Sequence, residues 1–306
     1  MNLDDYLSKD EIREFSQRSD AAGWRMLLGN WLLIAAVFLV AALWTHPAAL
    51  IAAVLLLGGR QLGLAVLMHE AGHRTLFASP RLNHLCGQWL AAYPILGDCD
   101  AYGASHREHH RHAGTVHDPD LANYHNYPVS MASFRRKLWR DISGQTGGKM
   151  LLGLLRGAGN RLLLRRGERS DTLRYGLLAN LLLLLVLTLC GRPELYLLWA
   201  IAYLTSYPMV ARIRQVAEHG AVEDLYRTDP RLNTRTTLPR WYERLLLCPN
   251  YVNYHLEHHL LASVPAHRLP ALHRLLRARG FYAEHPQALA RGYRAVLRRA
   301  VPELAA

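Results

Sequence analysis

The residues of this chain best suited to chemistry are its histidines, which are numerous and clustered. The first cluster is His69-Glu70-Ala71-Gly72-His73, and positions i and i+4 share a face of a helix, so two imidazoles there can reach one metal centre. The second is His106-Arg107-Glu108-His109-His110, followed by His112 and His117. The third, His255-Leu256-Glu257-His258-His259, repeats the i, i+3, i+4 spacing, and His219 follows Glu218 at the end of an apolar run. Imidazole suits zinc, copper, iron and nickel. A single structural zinc needs only about four ligands, fewer than these clusters offer. The supply fits two metal ions with open positions, and iron makes sense of such a site if the chemistry involves oxygen. Ligand type alone leaves zinc open, and His69-Glu70-x-x-His73 also fits the short H-E-x-x-H pattern of a membrane zinc metalloprotease. The four cysteines, Cys86, Cys99, Cys190 and Cys248, form no C-x-x-C pair, which argues against thiolate ligation and a secreted disulfide framework.

These histidines must be positioned by long apolar runs at about 30–45, 48–67, 174–191 and 194–211. Each is near the length a helix needs to cross roughly 30 Å of hydrocarbon. The expected fold is all-α and integral to the membrane: four transmembrane helices in two hairpins, with a helical cytosolic cap from 68–173 and 212–306, the whole a single domain. The two tight connections hold one basic residue, Arg192, while nearly all other Lys and Arg lie in the remaining segments. The positive-inside rule therefore puts those segments in the cytosol, and a bacterial-type inner membrane is the expected location. Two crossings separate the second and third clusters, and 85–97 is too short to span, so all clusters fall on one side. Arg60, inside the second run, is expected to snorkel to the interface. Leu and Arg mix in 160–170 and 265–299, as in helices that lie on anionic lipid or pack a basic face on the protein. Either accounts for the net charge of +12 without nucleic acid.

The set resembles the membrane fatty acid desaturase and hydroxylase superfamily over roughly residues 30–275. The matching elements are His69-x-x-x-His73, His106-x-x-His109-His110, Asp118-Pro119-Asp120, Glu218-His219 after Arg214, and Asn253-Tyr254-His255-Leu256-Glu257-His258-His259 with the tail that follows. The resemblance implies two irons that activate O2 and attack an unactivated C–H bond. It carries over as ligands His69, His73, His106, His109, His110, His219, His255, His258 and His259. Asp118, Asp120, Asn250 and Asn253 are candidates to support them, because such partners orient imidazoles. His112 lies outside the minimal box and is a further supporting candidate, while His46, His84, His267, His273 and His285 are expected to be irrelevant to the metal.

The resemblance also implies a fatty acid or acyl-lipid substrate and an external electron donor, a ferredoxin or similar with its reductase, since no fused b-type cytochrome domain is visible. A hydroxylase or ketolase of the same superfamily, acting on an alkane, carotenoid, sphingoid base or other amphiphile, shares the same boxes.

Overall fold

The computed structural model describes residues 3–164 and 171–305. A short helix α1 (Lys9–Phe15), with a Ser8/Glu11 capping box, precedes α2 (Asp20–Leu43) and α3 (Pro47–Gly72). The α2–α3 connection is tight because Pro47 opens α3 and the His46 ring accepts the Ala48 N–H at 3.2 Å. After α4 (Pro80–Cys86), the segment 87–95 forms a π-helical turn and a 3-10 turn. It is shorter than a spanning helix needs to be. The polar elements α5 (Cys99–His112), α6 (Met131–Ile142) and α7 (Gln145–Leu164) lead to α8 (Thr172–Leu189), α9 (Leu195–Leu204) and α10 (Ser206–His219). Short helices α11 (Pro230–Asn233), α12 (Trp241–Leu246), α13 (His255–Leu260) and α14 (Leu269–Ala278) follow.

Among the described residues, α2, α3 and α8 are long and apolar enough to cross a membrane. The fourth expected run is divided at Thr205, whose φ/ψ of −122°/−75° leaves the helical region, so α9 has only ten residues. Two local causes act there. Pro208 has no N–H to return to Leu204, and the Thr205 hydroxyl donates to the Ile201 carbonyl at 2.6 Å, a back-bond that bends helices. The Ser206 hydroxyl then reaches across to the Val54 carbonyl of α3 at 2.6 Å. The fold is also not purely helical: β1 (Thr236–Leu238) and β2 (Leu289–Arg291) pair in parallel.

At one end of the long helices, Arg192 ties the two connections together, donating to the Ala42 carbonyl at 2.6 Å and pairing with Glu194 at 2.5 Å. Arg60 does not snorkel. It is 5% exposed, bonded to Asn30 Oδ1 at 3.3 Å and to the Leu245 carbonyl, because α2 and α12 close over it. The C-terminal stretch packs inward: Leu269, Leu272, His273 and Leu276 are buried and Arg274 and Arg277 exposed, so its basic face is a solvated face of the protein. Of the other expected amphipathic stretch, 165–170 lies outside the described residues.

The end of α3 and the middle of α5 touch through glycines. A Cβ on Gly103 would lie 3.0 Å from Gly72 Cα, and one on Gly72 would lie 3.1 Å from Gly103 Cα. This contact sets the spacing of the first two histidine clusters. Gly103→Val should therefore lower stability by about 1–3 kcal/mol, as overpacking does, and should also cost bound metal. Gly153→Ala, where a Cβ meets nothing within 4 Å, should do neither. Thermal melts and metal analysis check this, and a Gly103→Val protein with full metal would refute the spacing role.

Candidate metal centre

Each cluster sits where its helix leaves the apolar layer or lies beside that point. His69 and His73 end α3, His106, His109 and His110 occupy the last turns of α5, His219 ends α10, and the third cluster forms α13. The structure gathers all nine expected histidines into two groups able to hold a metal ion. His69, His73, His106, His110 and His258 form one; His109, His219, His255 and His259 form the other. In the first, Nε2 atoms lie 2.8 Å (His69–His106), 3.1 Å (His69–His258), 3.1 Å (His106–His110) and 2.9 Å (His110–His258) apart. In the second, His219 and His255 Nε2 are 2.9 Å apart. Two ligand nitrogens at right angles about a point ~2.1 Å away are about 3 Å apart, so these spacings fit a shared ion. The buried Nε2 atoms of His73 and His259 have no hydrogen-bond partner, as expected of nitrogens reserved for a metal.

Four of the rings are held from behind through their Nδ1. His109 Nδ1 meets Asp118 Oδ1 at 2.8 Å, and Tyr124 donates to the other Asp118 oxygen. His219 Nδ1 donates to the Asn233 carbonyl at 2.9 Å, and His69 Nδ1 to Glu70 at 3.1 Å. Glu218 Oε1 lies 3.5 Å from His255 Nδ1 and accepts from Arg214 Nε at 2.6 Å. Each such bond fixes the tautomer and turns Nε2 inward.

Residues 45–292 match the fatty acid desaturase family. The chain belongs to that family. It is also 33% identical over 241 residues to dihydrorhizobitoxine desaturase of Bradyrhizobium elkanii, an alignment covering 72% of this chain and 65% of the relative, so the chain spans just under two thirds of that relative. Its described residues thus combine a match to that family with histidine clusters able to bind metal and helices long and apolar enough to cross a membrane.

For this desaturase-family protein the electrostatics suit metal binding. Burial pushes His106, His219, His255, His258 and His259 well below the ordinary imidazole value, and neighbouring imidazoles act the same way. The same causes push His110 down to about 2. Neutral imidazole is the ligand form. Burial pushes the Glu218 carboxyl up to about 7, against Arg214, which holds it down. Burial works against ionisation of Asp118 too, but its bonds from His109 and Tyr124 win and keep it below the usual carboxylate value.

Glu70 is occupied: its carboxylate meets His69 Nδ1 and accepts from Thr75 Oγ1 and the Ala266 N–H, both at 2.9 Å. It sits behind His69, away from the Nε2 side where a protease's general base would have to reach a metal-bound water.

Of the expected supporting residues, Asp118 grips His109, and Asp120 lies 3.9 Å from the same nitrogen. Asn250 and Asn253 are placed otherwise. Their amides donate to the carbonyls of Gly63 at 2.9 Å and Thr237 at 3.1 Å, so both tie backbone to backbone. His112 faces Glu108 at 3.5 Å on the outer side of α5 and joins neither group. The sequence reading missed a buried layer beneath α13, in which the Glu257 carboxylate accepts from Thr236 and Tyr282 and meets His273 Nδ1 at 2.5 Å. An acid inside a histidine box was the available signal. His273, set aside as isolated, is buried in that layer.

Two outcomes are expected. Asp118→Asn should weaken metal binding about 10–100-fold, as loss of such a partner does, in a chelator competition; unchanged affinity would remove Asp118 from this role. In the unfolded chain these histidines take up protons near pH ~6.5, whereas folded they stay neutral to much lower pH. The unfolded state therefore binds more protons below that value, so stability is full above about pH 6.5 and falls as the pH drops. Melts of the metal-free protein from pH 8 to 5 should show this decline, and a flat profile would contradict it.

Proposed function

We propose that this protein is an oxygen-dependent di-iron desaturase that introduces a double bond into an acyl-type chain. The observation that carries the reading is the sorting of nine imidazoles, six of them buried and three half-buried, into two adjacent groups, with a cavity of about 220 Å³ touching both. The first group would hold one iron through His69, His73, His106, His110 and His258, and the second the other through His109, His219, His255 and His259. The irons would supply O2 activation. Removing two hydrogens from adjacent carbons, with two further electrons and two protons, reduces O2 to two waters and leaves an alkene.

The chain's own residues do the rest. Asp118, Glu218, Glu70 and the Asn233 carbonyl orient His109, His255, His69 and His219. The relative named a dihydrorhizobitoxine desaturase supports desaturation as the reaction type. The basic segments outside the tight helix connections support a site facing the cytosol at an inner membrane, and the two electrons would come from a separate carrier such as a ferredoxin with its reductase. Hydroxylation by the same site differs only in the fate of the substrate after the first hydrogen is lost.

Mass spectrometry of extracts from aerated cells expressing wild type or His258→Ala tests the reading. A product short of two hydrogens, absent from the variant, is expected. A product that gains one oxygen instead would keep the metal site and replace desaturation by hydroxylation. Full turnover and full iron content in His258→Ala would refute the ligand set.

A further inference from the structure

The cavity that touches both histidine groups is not the lining a bare hydrocarbon chain needs. Leu62 and Met68 give it an apolar side, but Arg214, Gln215, Asp120 and Asn123 also face it. Arg214 is the informative residue. Its side chain is 15% exposed, and its Nε is committed to Glu218 at 2.6 Å. Its two Nη groups make no hydrogen bond to any described residue. An arginine fork held at one end and open at the other is suited to a carboxylate, which it binds with two parallel bonds. A methylene chain pressed against it would instead take those donors from water and give them no partner.

Size points the same way. About 220 Å³ lies below the roughly 300–1,000 Å³ of ordinary ligand pockets. Roomier apolar cavities exist, of about 750, 590 and 410 Å³, but no histidine of the site lines them. Arg214 stands just over one helical turn before His219 on α10, and both line this cavity.

We propose that Arg214 is a specificity-determining residue that receives the carboxylate of a short free acid, so that the C–H bonds attacked lie close to that carboxylate. This rests on the di-iron reading and narrows its substrate from an esterified long chain to a small carboxylate-bearing molecule. The test is equilibrium binding of radiolabelled hexanoate to the detergent-purified, iron-loaded enzyme, competed by hexan-1-ol and by palmitate, with iron measured on the same samples. Wild type should prefer hexanoate over hexan-1-ol by roughly tenfold or more, the worth of a charge-assisted bond, and palmitate should compete no better than hexanoate. Arg214→Gln should erase the preference for the acid and Arg214→Lys should restore part of it.

Equal affinity of wild type for acid and alcohol overturns the proposal, as does tighter binding of palmitate, and neither comparison depends on a variant folding. An Arg214→Gln enzyme that retains iron and the preference overturns it as well. Wild type that binds two irons yet ignores hexanoate defeats this inference alone, whereas wild type that binds no iron defeats the di-iron reading.

Discussion

Nine imidazoles gathered together away from bulk water are the constraint around which this molecule is arranged. A neutral imidazole has one nitrogen that donates and one that accepts, and burial leaves neither free to use water. A protein partner on one nitrogen therefore orients a ring so that the other can be offered to a metal. His109, His69, His255 and His219 have such partners in Asp118, Glu70, Glu218 and the Asn233 carbonyl, and the three carboxylates are in turn bonded by Tyr124, by Thr75 and the Ala266 amide, and by Arg214. The polar residues of the cap form a continuous set of such supports.

This demand explains several features that look unrelated. The glycine contact between α3 and α5 lets two histidine-bearing helices approach more closely than any side chain would allow. The break at Thr205 frees α10 to lie against α3 and α6, where Arg212 pairs with the buried Asp141 carboxylate at 2.5 and 2.9 Å and His219 is delivered to the second group. Glu257, fully buried beneath α13, anchors that short helix through Thr236, Tyr282 and His273; six residues of helix could not hold three histidines in place unaided. Thr236 lies in β1, so the small sheet takes part in fixing the third box.

The same arrangement links the fold to its chemistry. Long apolar helices give way to polar elements, and the two histidine groups sit at that boundary, largely out of bulk water. Exclusion of water strengthens every charge interaction in the site. It also makes the open donors of Arg214 costly to leave unmatched, so the cavity discriminates by polarity and not only by shape.

Residue type and spacing alone determined a good deal: the ligand chemistry, the three boxes and His219, and the presence of apolar helices that return all of them to one end. These are legible because i, i+3, i+4 spacing and apolar run length are local properties of the chain. The tertiary structure decided how the rings are shared. In α5, His106 and His110 serve one group while His109 serves the other, and in α13 His258 leaves the company of His255 and His259. Each helix offers two neighbouring faces, and only the packing of its neighbours fixes which face meets which. The roles of Asn250 and Asn253, the pairing of Arg60 with Asn30, the division of the fourth run, and the open fork of Arg214 were likewise decided by contacts between segments far apart in sequence, because a side chain's partner depends on what the fold brings against it.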